Sequence, residues 1–215
     1  MYWHKRSESD RGLEWLCEKI EQLLKKKMDQ HIKGLNRVGP LMAETVDSYK
    51  VSLSANIETL AEIELVHKYG GAGVGLFRSE YICLQKEGFP SEEEQFQVYK
   101  DYILALKDLP MVIRTFDIGG DKALDHINRQ EANPFLGCRA IRYMLQEKEV
   151  LKTQLRAILR ASAFGKISIM FPMVSGHFEL LEAKEIFKKA QEELTSENIP
   201  FNWPYVVDMP PFRLR

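Results

Sequence analysis

A guanidinium delivered at the end of an apolar run is costly to desolvate unless an anion or a carboxylate meets it. Its planar fork suits two oxygens at once, as phosphate or carboxylate presents them. In MVIRTFDIGGDK (residues 111–122), Arg114 holds that position, with Asp117, Gly119-Gly120, Asp121 and Lys122 following. Two readings are open: a structural Arg114–Asp117 ion pair capping a strand, or an anion site at the strand end. GVGLFRSE (residues 73–80) repeats the design, with Arg78 and Glu80 where a second short strand should stop. NPFLGCRAIR (residues 133–142) adds Arg139 and Arg142 at the start of a helical pattern, where free N–H groups favour anions. Three such segments converging on one side of one sheet would make a phosphate clamp.

Positioning them requires alternating strands and helices. Strands are expected over Val51–Ile57, Val74–Phe77, Met111–Phe116, Ile167–Phe171 and Tyr205–Pro210. Helices are expected over Thr59–Tyr69 (stopped by Gly70-Gly71), from Pro90-Ser91 onward, and over Phe135–Leu145, Val150–Phe164 and His177–Leu194. This rhythm implies an α/β fold with parallel pairing and right-handed crossovers. A closed eight-stranded barrel takes about 250 residues, and the chain from Tyr49 on is far shorter. The expectation is therefore an incomplete (β/α)8 TIM barrel of four to five βα units, over residues 45–215. Residues 1–44 read as a separate segment, with an amphipathic helix over Gly12–Met28 carrying Leu13, Leu16, Ile20, Leu23 and Leu24, and breaks at Gly34 and Gly39-Pro40.

The composition narrows the function. A formal charge of −1 gives no support to a nucleic-acid partner or an anionic membrane surface. No apolar run approaches the ~20 residues of a membrane span, so membrane insertion is not expected. Cys17, Cys83 and Cys138 lack CxxC spacing and fit a reducing, cytoplasmic setting. Neither GxxxxGK[ST] nor GxGxxG is present, and GGAGVG (residues 70–75) precedes a strand rather than a helix, so no nucleotide-binding motif is found.

GVGLFRSEYI, EEEQFQVYK, VIRTFDIGGDK, NPFLGCRAIR and LRAILRASAFGKISIMFPMV, in that order, resemble Enzyme I of the phosphoenolpyruvate:sugar phosphotransferase system. The resemblance is to its C-terminal phosphoenolpyruvate-binding barrel and covers about Thr45–Glu193. It implies a phosphoenolpyruvate-protein phosphotransferase, with the N-terminal helix linking a phosphohistidine domain to the barrel. By the same resemblance Arg78 and Arg114 hold the phosphoryl group, Arg139 supports them, and Asp117 and Lys122 position them. Mg2+ is the implied cofactor. Asp208 stands where the family has a magnesium-binding glutamate before a proline, one methylene shorter. The implied partners are phosphoenolpyruvate, a phosphocarrier protein reached through the N-terminal domain, and a second copy of the barrel.

The family's Thr/Ser-Ser-His motif, its strand-six magnesium ligand and its late cysteine have no counterpart here. The chain is therefore expected to be a truncated front half, inactive by itself. A non-catalytic module that at most binds phosphate or a complementary half-barrel is the alternative. A pyruvate phosphate dikinase or phosphoenolpyruvate synthase fragment is a third reading.

Overall fold

The computed structural model describes residues 11–38, 41–84, 88–119 and 137–208, in two compact units, Met1–Val51 and Ser52–Arg215. In the first unit, Arg11–Val38 forms the 28-residue helix α1. Trp15, Leu16, Ile20, Leu23, Leu24 and Met28 along it are exposed. The break expected at Gly34 does not occur. One glycine in a helix interior costs about 1 kcal/mol relative to alanine, which a helix of this length absorbs.

The second unit alternates strands and helices: β1 (Ala55–Ile57), α2 (Glu62–Lys68), β2 (Val74–Arg78), α3 (Glu80–Leu84), α4 (Glu92–Leu106), β3 (Met111–Arg114), α5 (Ile141–Gln146), α6 (Lys148–Ser162), β4 (Ile167–Phe171), α7 (His177–Ser196) and β5 (Tyr205–Asp208). The five strands form one sheet in the order β1-β2-β3-β4-β5, with every pairing parallel. All strand C-termini therefore lie along one rim. The α/β class and parallel pairing expected from the sequence are present.

Several boundaries differ from expectation. Strand one spans Ala55–Ile57 rather than Val51–Ile57, and its pairing with β2 already shifts register between Ala55 and Asn56. Val51–Ser54 stay exposed, and apolar alternation without a partner strand does not make a strand. Strand three stops at Arg114, not Phe116. Of the helix expected over Phe135–Leu145, Phe135 and Leu136 lie outside the described residues, and among the described ones α5 begins at Ile141, after Ala140 adopts φ +53°. The short helix α3 was not expected.

Local sequence explains the helices that were. Ser91 caps α4: its hydroxyl accepts the Glu94 amide at 3.4 Å, and the Glu94 carboxylate accepts the Ser91 amide at 3.0 Å. Gly70, at φ +69°, closes α2 in the left-handed conformation glycine tolerates, and the Gly71 amide returns to the Val66 carbonyl at 2.9 Å.

Alternate strand residues divide the sheet's two faces. Met111, Ile113, Ile169 and Phe171 are fully buried, in one core with Tyr99, Leu106, Leu155 and Ile158 from α4 and α6. Val112, Arg114, Ser168 and Met170, on the opposite face, are only partly buried. Outside this core, Arg156 and Arg160 of α6 tie three helices together. Arg156 meets Glu92 (2.6 Å), Glu193 (3.0 Å) and Glu197 (2.7 Å), while Arg160 meets Glu92 (2.8 Å) and Glu93 (2.7 Å). Among the described residues, no helix is long and apolar enough to cross a membrane.

Candidate functional site at the strand C-termini

Four charged side chains collect where β2 and β3 end. Arg78 and Arg114 are direct Cα partners in the β2–β3 pairing, each the last residue of its strand. Arg114 is held between carboxylates, donating through Nη2 to Glu80 and standing 3.3 Å through Nη1 from Asp117. Asp117 also receives Arg139 Nη2 at 2.9 Å, so one carboxylate bridges two guanidiniums. These side chains are only 7–12% exposed. The structural Arg114–Asp117 pair that the spacing left open is thus formed, within a four-charge cluster of no net charge. Mutual pairing offsets the cost of taking these ions out of water.

The pairing does not exhaust the site. Arg114 Nε is buried and meets no hydrogen-bond partner among the described residues. The Oγ1 of Thr115, the next residue, is in the same position. A buried donor without an acceptor costs about 1–3 kcal/mol, so an anion reaching Arg114 Nε would satisfy a bond the protein itself does not make.

Arg78 sits differently. It pairs with Glu58, the residue after β1, and both side chains are over 40% exposed. It shares the rim with Arg114 but, among the described residues, has no ion pair in common with it. Arg142, grouped with Arg139 by sequence, is committed elsewhere: Nε lies 3.2 Å from Glu179 and Nη2 donates to Ser175 Oγ at 2.9 Å, at the start of α7. Lys122 lies outside the described residues. Asp208 ends β5 opposite Phe171 of β4, which places its backbone on the same rim.

Close approach builds the cluster. Gly119 has φ +116°, and a Cβ there would fall 2.8 Å from Arg139 Cβ and 2.9 Å from the Cys138 carbonyl. Glycine at this point lets the loop bearing Arg139 reach Asp117. Beneath the rim runs a buried polar chain that the strand and helix patterns did not disclose. Ser79 donates to the Arg114 carbonyl (2.6 Å), and Gln154 donates to Ser79 (3.0 Å) and to Tyr99 (3.1 Å). Gln154 also accepts the Phe116 amide at 3.0 Å. Its sequence signal is a polar residue on the apolar stripe Leu151, Leu155, Ile158 of α6.

Burial, with Glu80 nearby, pushes the Cys83 thiol up to about 12, so it stays protonated at neutral pH. Cys17 and Cys138 are half-buried rather than buried, and none of the three is in a disulfide. Among the described residues no three His, Cys, Asp or Glu side chains group as a metal site.

A parallel sheet with arginine–carboxylate pairs along its C-terminal rim makes this unit an α/β domain with a charged strand-end rim. The chain belongs to the family of PEP-utilising enzymes through their PEP-binding domain, whose pattern matches residues 33–209. It is 44% identical over 179 residues to the phosphoenolpyruvate-protein phosphotransferase of Buchnera aphidicola subsp. Baizongia pistaciae, covering 83% of this chain and 31% of that protein. The protein of the same name from Haemophilus influenzae is 42% identical over 189 residues, covering 86% and 33%. That from Staphylococcus aureus is 43% identical over 166 residues, covering 77% and 29%. The chain thus spans about a third of the length of these curated relatives.

Proposed function

We propose that the strand-end arginines receive the phosphoryl group of phosphoenolpyruvate, which then passes to a protein histidine in the sugar phosphotransferase system. Residues 45–215 would supply the first strands of an incomplete (β/α)8 barrel, with α1, in residues 1–44, as the linker helix preceding it. The observation that carries this reading is the register: Arg78 and Arg114 end neighbouring parallel strands as direct partners.

The chemistry suits such a rim. The bond from phosphorus to the enol oxygen breaks as one from phosphorus to an imidazole nitrogen forms, and the enolate takes up a proton to give pyruvate. The transition state is loose, so the protein contributes position and fixed positive charge. Arg114 would offer Nε to a phosphoryl oxygen while Glu80 and Asp117 keep its plane oriented. Arg78, half-exposed, would close on the same group, with Arg139 holding Asp117 and Lys122 supporting the loop. A rim carboxylate suits Mg2+, which needs only one or two protein carboxylates beside substrate oxygens. Asp208 would hold it, and the ion would offset the substrate's negative charge. The reaction would take place in the cytoplasm, with a phosphocarrier protein as the onward acceptor and a second barrel copy as the assembly partner.

The test is phosphoenolpyruvate-dependent phosphotransfer by the chain supplied with the remaining segments of a relative. Arg114→Ala should lower the rate about 100-fold, equivalent to roughly 3 kcal/mol of lost transition-state stabilisation. A wild-type rate in that variant would overturn the assignment. A module that binds phosphate without turnover is the second reading; phosphate binding with no transfer under these conditions would support it.

A further inference from the structure

Gln154 does more than fill the core. It is fully buried, and its carboxamide makes one acceptor and two donor bonds, to three separate parts of the chain. The direction of each bond is fixed by what lies beyond it. Ser79 gives its hydroxyl proton to the Arg114 carbonyl at 2.6 Å, so it can only accept from Gln154 Nε2. Tyr99 gives its own to Gln95 Oε1 at 3.2 Å, and Gln95 Nε2 donates to the Pro90 carbonyl at 2.9 Å. Gln154 Oε1 is thereby left to accept the Phe116 amide at 3.0 Å. Ser79, Tyr99 and Gln95 are fully buried as well.

The consequence for the rim is geometric. Arg114 is held by its carbonyl through Ser79, and the backbone two residues on is held by Gln154 directly. Ser79 itself lies between Arg78 and Glu80, the latter paired with Arg114. One carboxamide on α6 therefore sets the spacing of two strand ends, each carrying an arginine. An apolar side chain of similar volume would fill the same space but leave the Phe116 amide and the Ser79 hydroxyl short of a partner.

We propose that Gln154 is a positioning residue for Arg114, acting through Ser79 and the Phe116 amide. Its effect on substrate rests on the reading of Arg114 as a phosphoryl-binding group; its effect on Arg114 does not. The experiment compares Gln154→Met with Leu194→Ala, a core truncation in α7 outside the network, in the full chain. It records the Arg114 Nε–Hε and Phe116 amide NMR resonances, melting temperature and phosphoenolpyruvate affinity. Gln154→Met should shift both resonances and weaken binding about tenfold, while Leu194→Ala should leave both resonances in place. Unmoved Arg114 and Phe116 resonances in Gln154→Met, or equal displacement in both variants, would overturn the proposal. If wild type binds no phosphoenolpyruvate but Gln154→Met still displaces Arg114, the substrate reading fails and the positioning role stands. Should Gln154→Met not fold, Ser79→Ala removes the link to the Arg114 carbonyl alone, and the same resonances decide.

Discussion

Arg78 and Arg114 occupy matched register positions yet meet different surroundings, and the difference sets what each can do. Arg114, 12% exposed and held by two carboxylates, is fixed before any ligand arrives. Arg78, 41% exposed, is free to exchange Glu58 for another anion at low cost. Exposed pairs of this kind are worth about 0.2–1 kcal/mol. Removing the competitor with Glu58→Gln should therefore tighten phosphate or phosphoenolpyruvate binding about two- to fivefold, read by calorimetric titration. Unchanged or weaker binding would mean that Glu58 does not compete for Arg78. Arg114 and Asp117 were legible because strand-end charge three residues apart is a local pattern. Glu80 was legible as a strand-end charge, but its pairing with Arg114, like that of Glu58 with Arg78, was not, because each crosses between strands and the register that brings them together is not written in either segment. Gln154 was hidden for a related reason: a helix stripe shows that a polar residue faces the core, not which strand ends it will meet.

Among the elements, those with local punctuation were readable and those shaped by neighbours were not. The start of α4 follows from Pro90-Ser91 and the acids behind it, and the reciprocal Ser91–Glu94 bonds realise it. Ser91→Ala should lower stability by about 1 kcal/mol. In a chain of this size that shifts the melting temperature by about 2–4 °C, and an unshifted value would show that the cap is dispensable. Strand β4, Ile167–Phe171, matched its apolar run because it pairs on both sides. Strand β1, three residues long, pairs among the described residues with β2 alone. No local signal announces α3, five residues directly after the Arg78 strand end.

For the molecule as a whole, several carboxylates sit below their ordinary pKa in the folded state. The Thr59 and Glu58 amides hold Glu62 low. Burial pushes Glu179 up, but the Ser175 and Gly176 amides, the Ser175 hydroxyl and Arg142 outweigh it. A depressed folded-state pKa contributes stability above the unfolded value, 4.5 for glutamate, and loses it as pH falls through the folded value. Melting temperature should thus stay level from pH 7 to about 5 and fall below the ordinary glutamate value. Glu62→Gln should flatten that acid limb in thermal scans, and an equally steep limb would remove Glu62 from the account.

The strictly sequential strand order bears on synthesis. Each strand pairs with the one made just before it, so none has to be inserted between two that are already joined. A nascent chain leaving the ribosome can extend the sheet from β1 outward, each new strand meeting a template already laid down. The rim is assembled in the same order. Arg78 leaves the ribosome before Arg114, and Gln154, which sets the spacing between them, emerges last of the three.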